Sequence, residues 1–270
     1  MSGADFHSHL MPGVDDGAAS EDDARRGLAA LAEDGVLRIV TTPHLSGSVT
    51  LRPDALAVRL AELDTAWDRL QRLARTEFPR LELGRGVECM LDVPRPELAD
   101  ARLHLGGTSF VLVEFPFLIV PPRSADALRG LLARGLRPVL AHPERYSGIS
   151  AELALEWRRA GAYLQVNGAS LLGRYGGAPR RLALELLRRG WADYLGSDYH
   201  ARGRPLVAGY RAEVARLGGE EIAALLCEVN PGRLLDGEPP IPVAPIPGEP
   251  SLLARAAAAL HLGPWRHPRG

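Results

Sequence analysis

Imidazole and carboxylate side chains gather in a few short segments of this 270-residue sequence, most of them at the ends of apolar runs. The segments are Asp5-Phe6-His7-Ser8-His9, Asp15-Asp16-Gly17, Thr42-Pro43-His44, Glu88, Glu114, His142-Pro143-Glu144-Arg145 and Ser197-Asp198-Tyr199-His200. Five of the eight histidines lie in them. Imidazole nitrogen mixed with carboxylate oxygen is the donor set of divalent transition metals. His7 and His9 are two apart, as are Asp198 and His200. Alternate side chains of an extended strand point the same way, so each pair can face one cavity. Of Asp15 and Asp16, the second is the expected ligand, with Gly17 allowing a tight turn; the competing reading has both aspartates capping the next helix. Glu114 interrupts the apolar run Val111-Leu112-Val113, and a buried carboxylate without a partner is costly, so a metal or an arginine must stand near it.

His7, His9, Asp16, His44, Glu88, Glu114, His142, Asp198 and His200 are more ligands than one ion uses. Two or three ions bridged by carboxylates such as Glu88 fit the count. Clustered ions lower the pKa of a bridging water and clamp both oxygens of an in-line displacement, which suits phosphoester hydrolysis. The donor mix favours manganese, iron or zinc over magnesium alone. Arg145 lies three residues past His142 and Arg204 four past His200. Each is expected to grip phosphate oxygens as charge builds in the transition state.

Elements that position such residues follow from periodicity. Apolar runs near 3–7, 36–41, 81–88, 109–115, 136–141, 162–167 and 192–197 read as strands, separated by segments with helical spacing. Ser20 with Asp23 marks a helix start whose inner face carries Leu28, Leu31 and Ala32, and Gly35 ends it. The longest helix is expected from Asp54 to Thr76, with Leu56, Leu60, Leu63, Trp67, Leu70 and Leu73 as its core stripe. Strand-then-helix alternation implies parallel strands with right-handed crossovers. Because ligand-bearing strand ends run from the start of the chain to residue 200, a closed α/β barrel is expected rather than an open sheet: only a barrel brings them all to one mouth. Asn230-Pro231 reads as an N-cap with proline at N1. Residues 1–237 would form the barrel and the proline-rich 238–250 an extended linker with little fixed structure. Residues 251–270 would form a short Ala/Leu helix and a tail, with His261 and His267 non-catalytic.

Composition excludes several classes. All 32 basic side chains other than histidine are arginines, so Schiff-base and P-loop chemistry, which need lysine, are absent. A formal charge of −1 and no basic stripe argue against a nucleic-acid partner. No apolar run approaches a membrane span, no basic-then-apolar leader opens the sequence, and two distant cysteines, Cys89 and Cys227, suit a reducing compartment; a cytoplasmic protein not embedded in membrane is expected. Cys89 with Arg95, and Cys227 with Arg233, match the C-x5-R spacing of cysteine phosphatases, but Met90-Leu91-Asp92-Val93-Pro94 has none of the glycines such a phosphate cradle needs, and Cys227 leads into a capped helix. His104 has no clustered partner and is read as structural.

The motif order D-x-H-S-H-x-x-P-G-x-D-D-G, T-P-H, G-x-E, V-E-F-P, H-P-E-R-Y and S-D-x-H, over residues 5 to about 236, resembles the PHP (polymerase and histidinol phosphatase) superfamily. Within it, the sequence is similar to the manganese-dependent protein-tyrosine phosphatases of capsule and exopolysaccharide loci, the CpsB/CapC family. The resemblance implies a distorted (β/α)7 PHP barrel with a three-metal site on the nine residues named above. It implies that Arg145 and Arg204 contact phosphate, with Asp16 at the reaction centre, and that a metal-bridging hydroxide attacks phosphotyrosine directly. It also implies a membrane-bound tyrosine autokinase as partner, with a homo-oligomer open. Leu45 departs from the pattern, standing where a second histidine is common. A small phosphoester such as histidinol phosphate is the rival substrate.

Overall fold

Nine parallel strands fill seven positions around a distorted barrel in the computed structural model, which describes residues 3–247. They are β1 (Gly3–Asp5), β2 (Val36–Thr41), β3 (His44–Ser46), β4 (Glu82–Arg85), β5 (Glu88–Met90), β6 (Phe110–Glu114), β7 (Arg137–Ala141), β8 (Tyr163–Asn167) and β9 (Tyr194–Gly196). One sheet runs β1-β2-β4 and the other β3-β5-β6-β7-β8-β9. The run expected as a single strand over 81–88 is divided into β4 and β5, because Pro43 has no N–H to continue the neighbouring ladder. Pairing skips there: Gly86 N donates to Thr41 O at 3.0 Å and Glu88 N to Pro43 O at 3.1 Å. The helix expected at Asp54–Thr76 is Pro53–Glu77, and four of its six stripe residues are buried, with Leu56 and Trp67 partly so.

The barrel closes between the first and last strand positions. Ser8 bridges Tyr199, and His9 N donates to Tyr199 O at 2.8 Å. Asp5 latches the same seam, accepting from Ser197 N at 3.0 Å and Ser197 Oγ at 2.7 Å. Burial pushes the Asp5 carboxyl up to about 6, against the pull of those hydrogen bonds.

Alternation along the strands sorts two cores. Phe6, Val40, Phe110, Leu112, Val139, Ala141 and Tyr194 pack inside the barrel, while Ile39, Val111, Val113, Leu140 and Leu195 pack outward under the helices. The inward series Phe110, Leu112 ends at Glu114, and the series Tyr194, Gly196 ends at Asp198. A polar layer therefore lies on top of the apolar barrel filling.

Two expectations about the C-terminal part are corrected. Asn230 is not an N-cap: its backbone is helical (φ −65, ψ −44), and the helical path from Glu220 runs through it by way of a wide π turn. Pro231 lacks an N–H, and the π turn that precedes it is where the helical path accommodates that missing donor. The buried Asn230 side chain instead donates to Asp193 O (3.0 Å) and Ile241 O (2.9 Å) and accepts from Ile241 N (2.8 Å). That clamp fixes the proline-rich segment up to residue 247 against the barrel, with Val243 and Ile246 buried and Ile246 N bonded to Leu187 O at 3.2 Å. The helix expected from Ser251, with His261 and His267, lies outside the described residues. Among the described residues, no helix is long and apolar enough to cross a membrane.

Candidate metal centre

Eight of the nine candidate ligands meet at the C-terminal mouth of the barrel in three overlapping groups: His7, His9, Glu88, Asp198; His44, Glu88, Glu114; and His9, Asp16, His44, His200. His142 adjoins the first two through Glu88. Glu88 is the hub, fully buried, with Oε2 at 3.2 Å from His7 Nε2, 3.4 Å from His9 Nε2 and 3.2 Å from His44 Nδ1, and Oε1 at 3.0 Å from His142 Nε2. Asp198 Oδ1 lies 3.3 Å from His7 Nε2 and 3.5 Å from His9 Nε2. Glu114 Oε1 is 3.4 Å from His44 Nδ1. Asp16 is outermost, 62% exposed, with Oδ1 at 3.4 Å from His44 and 3.3 Å from His200.

The donor atoms fit a cation. His7 Nε2, His9 Nε2 and Glu88 Oε2 are buried and lack a hydrogen-bond partner, which is expensive unless something electrophilic sits among them. Meanwhile the far nitrogen of three of the five rings is already used. His7 Nδ1 pairs with Gln165 Oε1 (2.9 Å), His9 Nδ1 with Asp15 Oδ2 (2.8 Å) and His200 Nδ1 with Asp198 O (2.9 Å). Such bonds set the tautomer and aim the Nε2 lone pair into the centre. Asp15 thus neither caps the following helix nor joins the ligand groups: it orients His9 and also accepts from Gly17 N (2.9 Å) and His44 N (3.2 Å).

Backbone geometry serves the same convergence. His142 (φ 35) and Asp198 (φ 50) occupy the left-handed region that non-glycine residues avoid, turning their side chains inward just past β7 and β9. Gly17 is required for close approach: a Cβ there would sit 2.2 Å from His9 O. Gly196 makes room for Gln165, whose Nε2 would lie 2.5 Å from an added Cβ. In the H-P-E-R-Y run only His142 and Arg145 face the site. Glu144 accepts from Asn167 N (3.0 Å), and Tyr146 ties two strand ends together, accepting from Phe115 N (3.1 Å) and donating to Ala141 O (3.0 Å).

Electrostatics complete the picture. Burial opposes charge on His7, His9 and His44, yet the surrounding carboxylates raise all three, His44 to about 10. Burial likewise opposes ionisation of Asp15, but the His9 hydrogen bond holds its carboxyl at about 2. The imidazoles keep Glu88 well below the ordinary range against the same penalty. His200 is lowered by burial and by His9, stacked on it at 4.0 Å. A cation taking an imidazole lone pair must displace any proton held there, and His44, raised to about 10, holds one at neutral pH. Metal loading is therefore expected to release protons and acidify an unbuffered solution, with His44 among the sources, and affinity is expected to weaken as pH falls below about 10. Titration in weakly buffered solution checks this; pH-independent binding without proton release would contradict it.

Beside the centre opens a cavity of about 390 Å³ lined by Asp16, Arg145, Arg174, Tyr175, Arg202 and Arg204, among others. Arg145 donates from Nη1 to Asp198 Oδ2 at 2.7 Å. Asn167 Nδ2 donates to the same oxygen at 3.0 Å. Arg204 lines the cavity too, but its guanidinium is 73% exposed and faces Asp34 at 3.7 Å. Arg202 donates to the Asp16 carbonyl. Neither cysteine enters: burial pushes the Cys89 thiol up to about 12 and raises Cys227 as well, the opposite of a nucleophilic thiolate. His104 spans two backbone carbonyls, Thr108 O (2.8 Å) and Leu98 O (2.7 Å), as a structural residue would.

Gln165, Asn167, Asp15, Arg174, Tyr175 and Arg202 were not singled out by motif order as ligands or anion contacts. Gln165 and Asn167 carried a signal: polar residues at alternate places in the otherwise apolar Leu164-Gln165-Val166-Asn167.

A parallel α/β barrel with clustered imidazoles and carboxylates at its mouth and arginines beside them is the architecture of a metal-dependent hydrolase. The chain belongs to the CpsB/CapC family of capsular polysaccharide synthesis, whose family model matches residues 3–236. The tyrosine-protein phosphatase YwqE of Bacillus subtilis is 30% identical over 200 residues, covering 73% of this chain and 76% of its own. The tyrosine-protein phosphatase CpsB of Streptococcus pneumoniae is 26% identical, covering 60% and 66% respectively. A crystal structure from work on YwqE and CpsB, described as unique metal-dependent tyrosine phosphatases, superposes with a TM-score of 0.74 at 27% identity, covering 89% of this chain and 99% of that one. A phosphotriesterase homology protein from Escherichia coli shares the fold alone, with a TM-score of 0.50 at 13% identity over 86% of this chain and 96% of its own.

Proposed function

We propose that this chain is a metal-dependent protein-tyrosine phosphatase, with Mn2+ as its cation and iron or zinc as alternatives. The observation that supports it most directly is the meeting of three imidazole–carboxylate groups beside an arginine-rimmed cavity. His7, His9, Asp16, His44, Glu88, Glu114, His142, Asp198 and His200 would hold two or three ions. Such ions supply a water nucleophile at neutral pH and Lewis acidity at the phosphoryl oxygens. Arg145 grips a non-bridging oxygen, its planar fork already aimed by Asp198. Arg204 serves the same anion from the rim, and Asp16 stands at the outer edge where the leaving phenolate departs. The substrate is a phosphotyrosine-bearing protein, read as a membrane-bound tyrosine autokinase of capsule or exopolysaccharide synthesis. The enzyme meets it from the cytoplasm, with a homo-oligomer as part of this reading.

Hydrolysis of a phosphotyrosine peptide is expected to need Mn2+, to vanish with chelator and to return when Mn2+ is restored. Histidinol phosphate and sugar phosphates are expected to turn over far more slowly. A strong preference for one such metabolite would overturn the protein-substrate assignment.

A further inference from the structure

Resting on the phosphatase reading, one residue of the cavity bears on which phosphate esters fit. Two aromatic rings line it, Tyr175 and Tyr199. Tyr199 is buried, its hydroxyl donating to Gly203 O at 3.1 Å. Tyr175 is 42% exposed, so its ring is the aromatic surface a ligand can reach there.

The Tyr175 ring lies under the Arg145 guanidinium, 4.3 Å from centroid to Cζ. That contact and the Asp198 bond fix Arg145 on one face and one edge, leaving its other edge for an anion. The tip bearing Arg174 and Tyr175 is a hydrogen-bonded turn: Gly173 N donates to Ser170 O (2.9 Å), Arg174 N to Ala169 O (2.9 Å) and Gly176 N to Gly173 O (3.1 Å). Gly173 (φ 77) and Gly176 (φ 93) take the left-handed angles that such a tight tip demands. The side chain is thus presented by a defined turn. Among the described residues, the Arg174 guanidinium beside it has no ion-pair partner.

We propose that Tyr175 is a specificity residue: its ring, anchored by Arg145, forms the wall against which an aryl group on the phosphate packs, so that the site prefers aryl over alkyl phosphate monoesters. An aryl ring placed next to it gains ring–ring contact that an alkyl chain cannot match. The cation–π contact with Arg145 ties that wall to the anion-binding group, so ring and phosphate are read together.

The test compares phenylphosphonate with methylphosphonate, two non-hydrolysable anions differing in the ring, by calorimetric titration of the Mn2+-loaded protein. Wild type is expected to bind the phenyl compound on the order of tenfold more tightly. Tyr175→Ala should erase that preference, and Tyr175→Phe, which keeps the ring and the Arg145 contact, should retain it. Equal affinities in wild type, no binding of either anion, or a preference surviving in Tyr175→Ala would each overturn the inference. Turnover of a phosphotyrosine peptide is followed in parallel. An aryl preference without turnover would count against the phosphatase reading while leaving the role of Tyr175 in place.

Discussion

Glu88→Gln is expected to lower kcat/KM on a phosphotyrosine peptide by about 10³-fold or more and to reduce bound metal below one ion per chain. Glu88 touches four imidazoles from three strand ends while fully buried. Glutamine keeps its shape but removes the negative charge and turns one oxygen into an N–H₂ donor pointing at lone pairs that should meet a cation. Clustered ions contribute several kcal/mol of transition-state charge stabilisation, and about 1.4 kcal/mol corresponds to a factor of ten. The melting temperature offers a separate reading. Loading with Mn2+ should raise that of the wild type and leave the variant nearly unmoved, since a ligand stabilises only the fold it binds. Elemental analysis and calorimetry check both; wild-type metal content with wild-type rate would remove Glu88 from the centre.

Arg145→Lys is expected to retain metal but lose roughly 10²-fold in kcat/KM, a loss typical of removing one donor aimed at developing charge. A guanidinium can hold Asp198 with one nitrogen and still present a second edge to a phosphoryl oxygen; a lysine ammonium at the end of a flexible stem cannot do both in fixed geometry. Arg145→Ala should be worse, because Asp198 Oδ2 would keep only Asn167 as a partner. Arg204→Ala should cost less, its side chain being largely exposed at the rim. Steady-state kinetics beside metal analysis separates the effects. Equal losses for Arg145→Lys and Arg204→Ala would mean that both arginines grip phosphate alike.

The residues that converge at the barrel mouth were legible because a charged or imidazole side chain finishing an apolar strand breaks a local rule and is conspicuous. Glu114 after Val113 and His142 after Ala141 are of this kind. The barrel followed from the same placement, since residues 7 and 200 must reach one point. Supporting residues were harder to read. Asp15 and Asp16 are chemically identical neighbours, and only the turn at Gly17 decides which orients His9 and which faces the rim. Gln165 matters through a bond to a residue 158 positions away, a relation no local pattern carries. The helical Asn230 was missed for a different reason, local propensity yielding to tertiary hydrogen bonding through the clamp on Ile241, while the break at Pro43 acts across the ladder on a strand about 40 residues away, which no local pattern pairs with it.

The seam joining Asp5 to Ser197, 192 residues apart, also governs when this protein can become competent. Its first strand leaves the ribosome long before its last, and the barrel cannot shut until both exist. His7 and His9 come from one side of that seam, Asp198 and His200 from the other. During synthesis the nascent chain carries half a metal-binding set at each end, with an open sheet edge between them. Such long-range closure folds slowly, and exposed edges invite wrong pairing. A complete metal-binding set is therefore expected only once residue 200 has emerged and docked on the first strand. A cation captured early by the N-terminal imidazoles alone would be held weakly and exchanged, so the identity of a bound ion would be decided after the final strand docks.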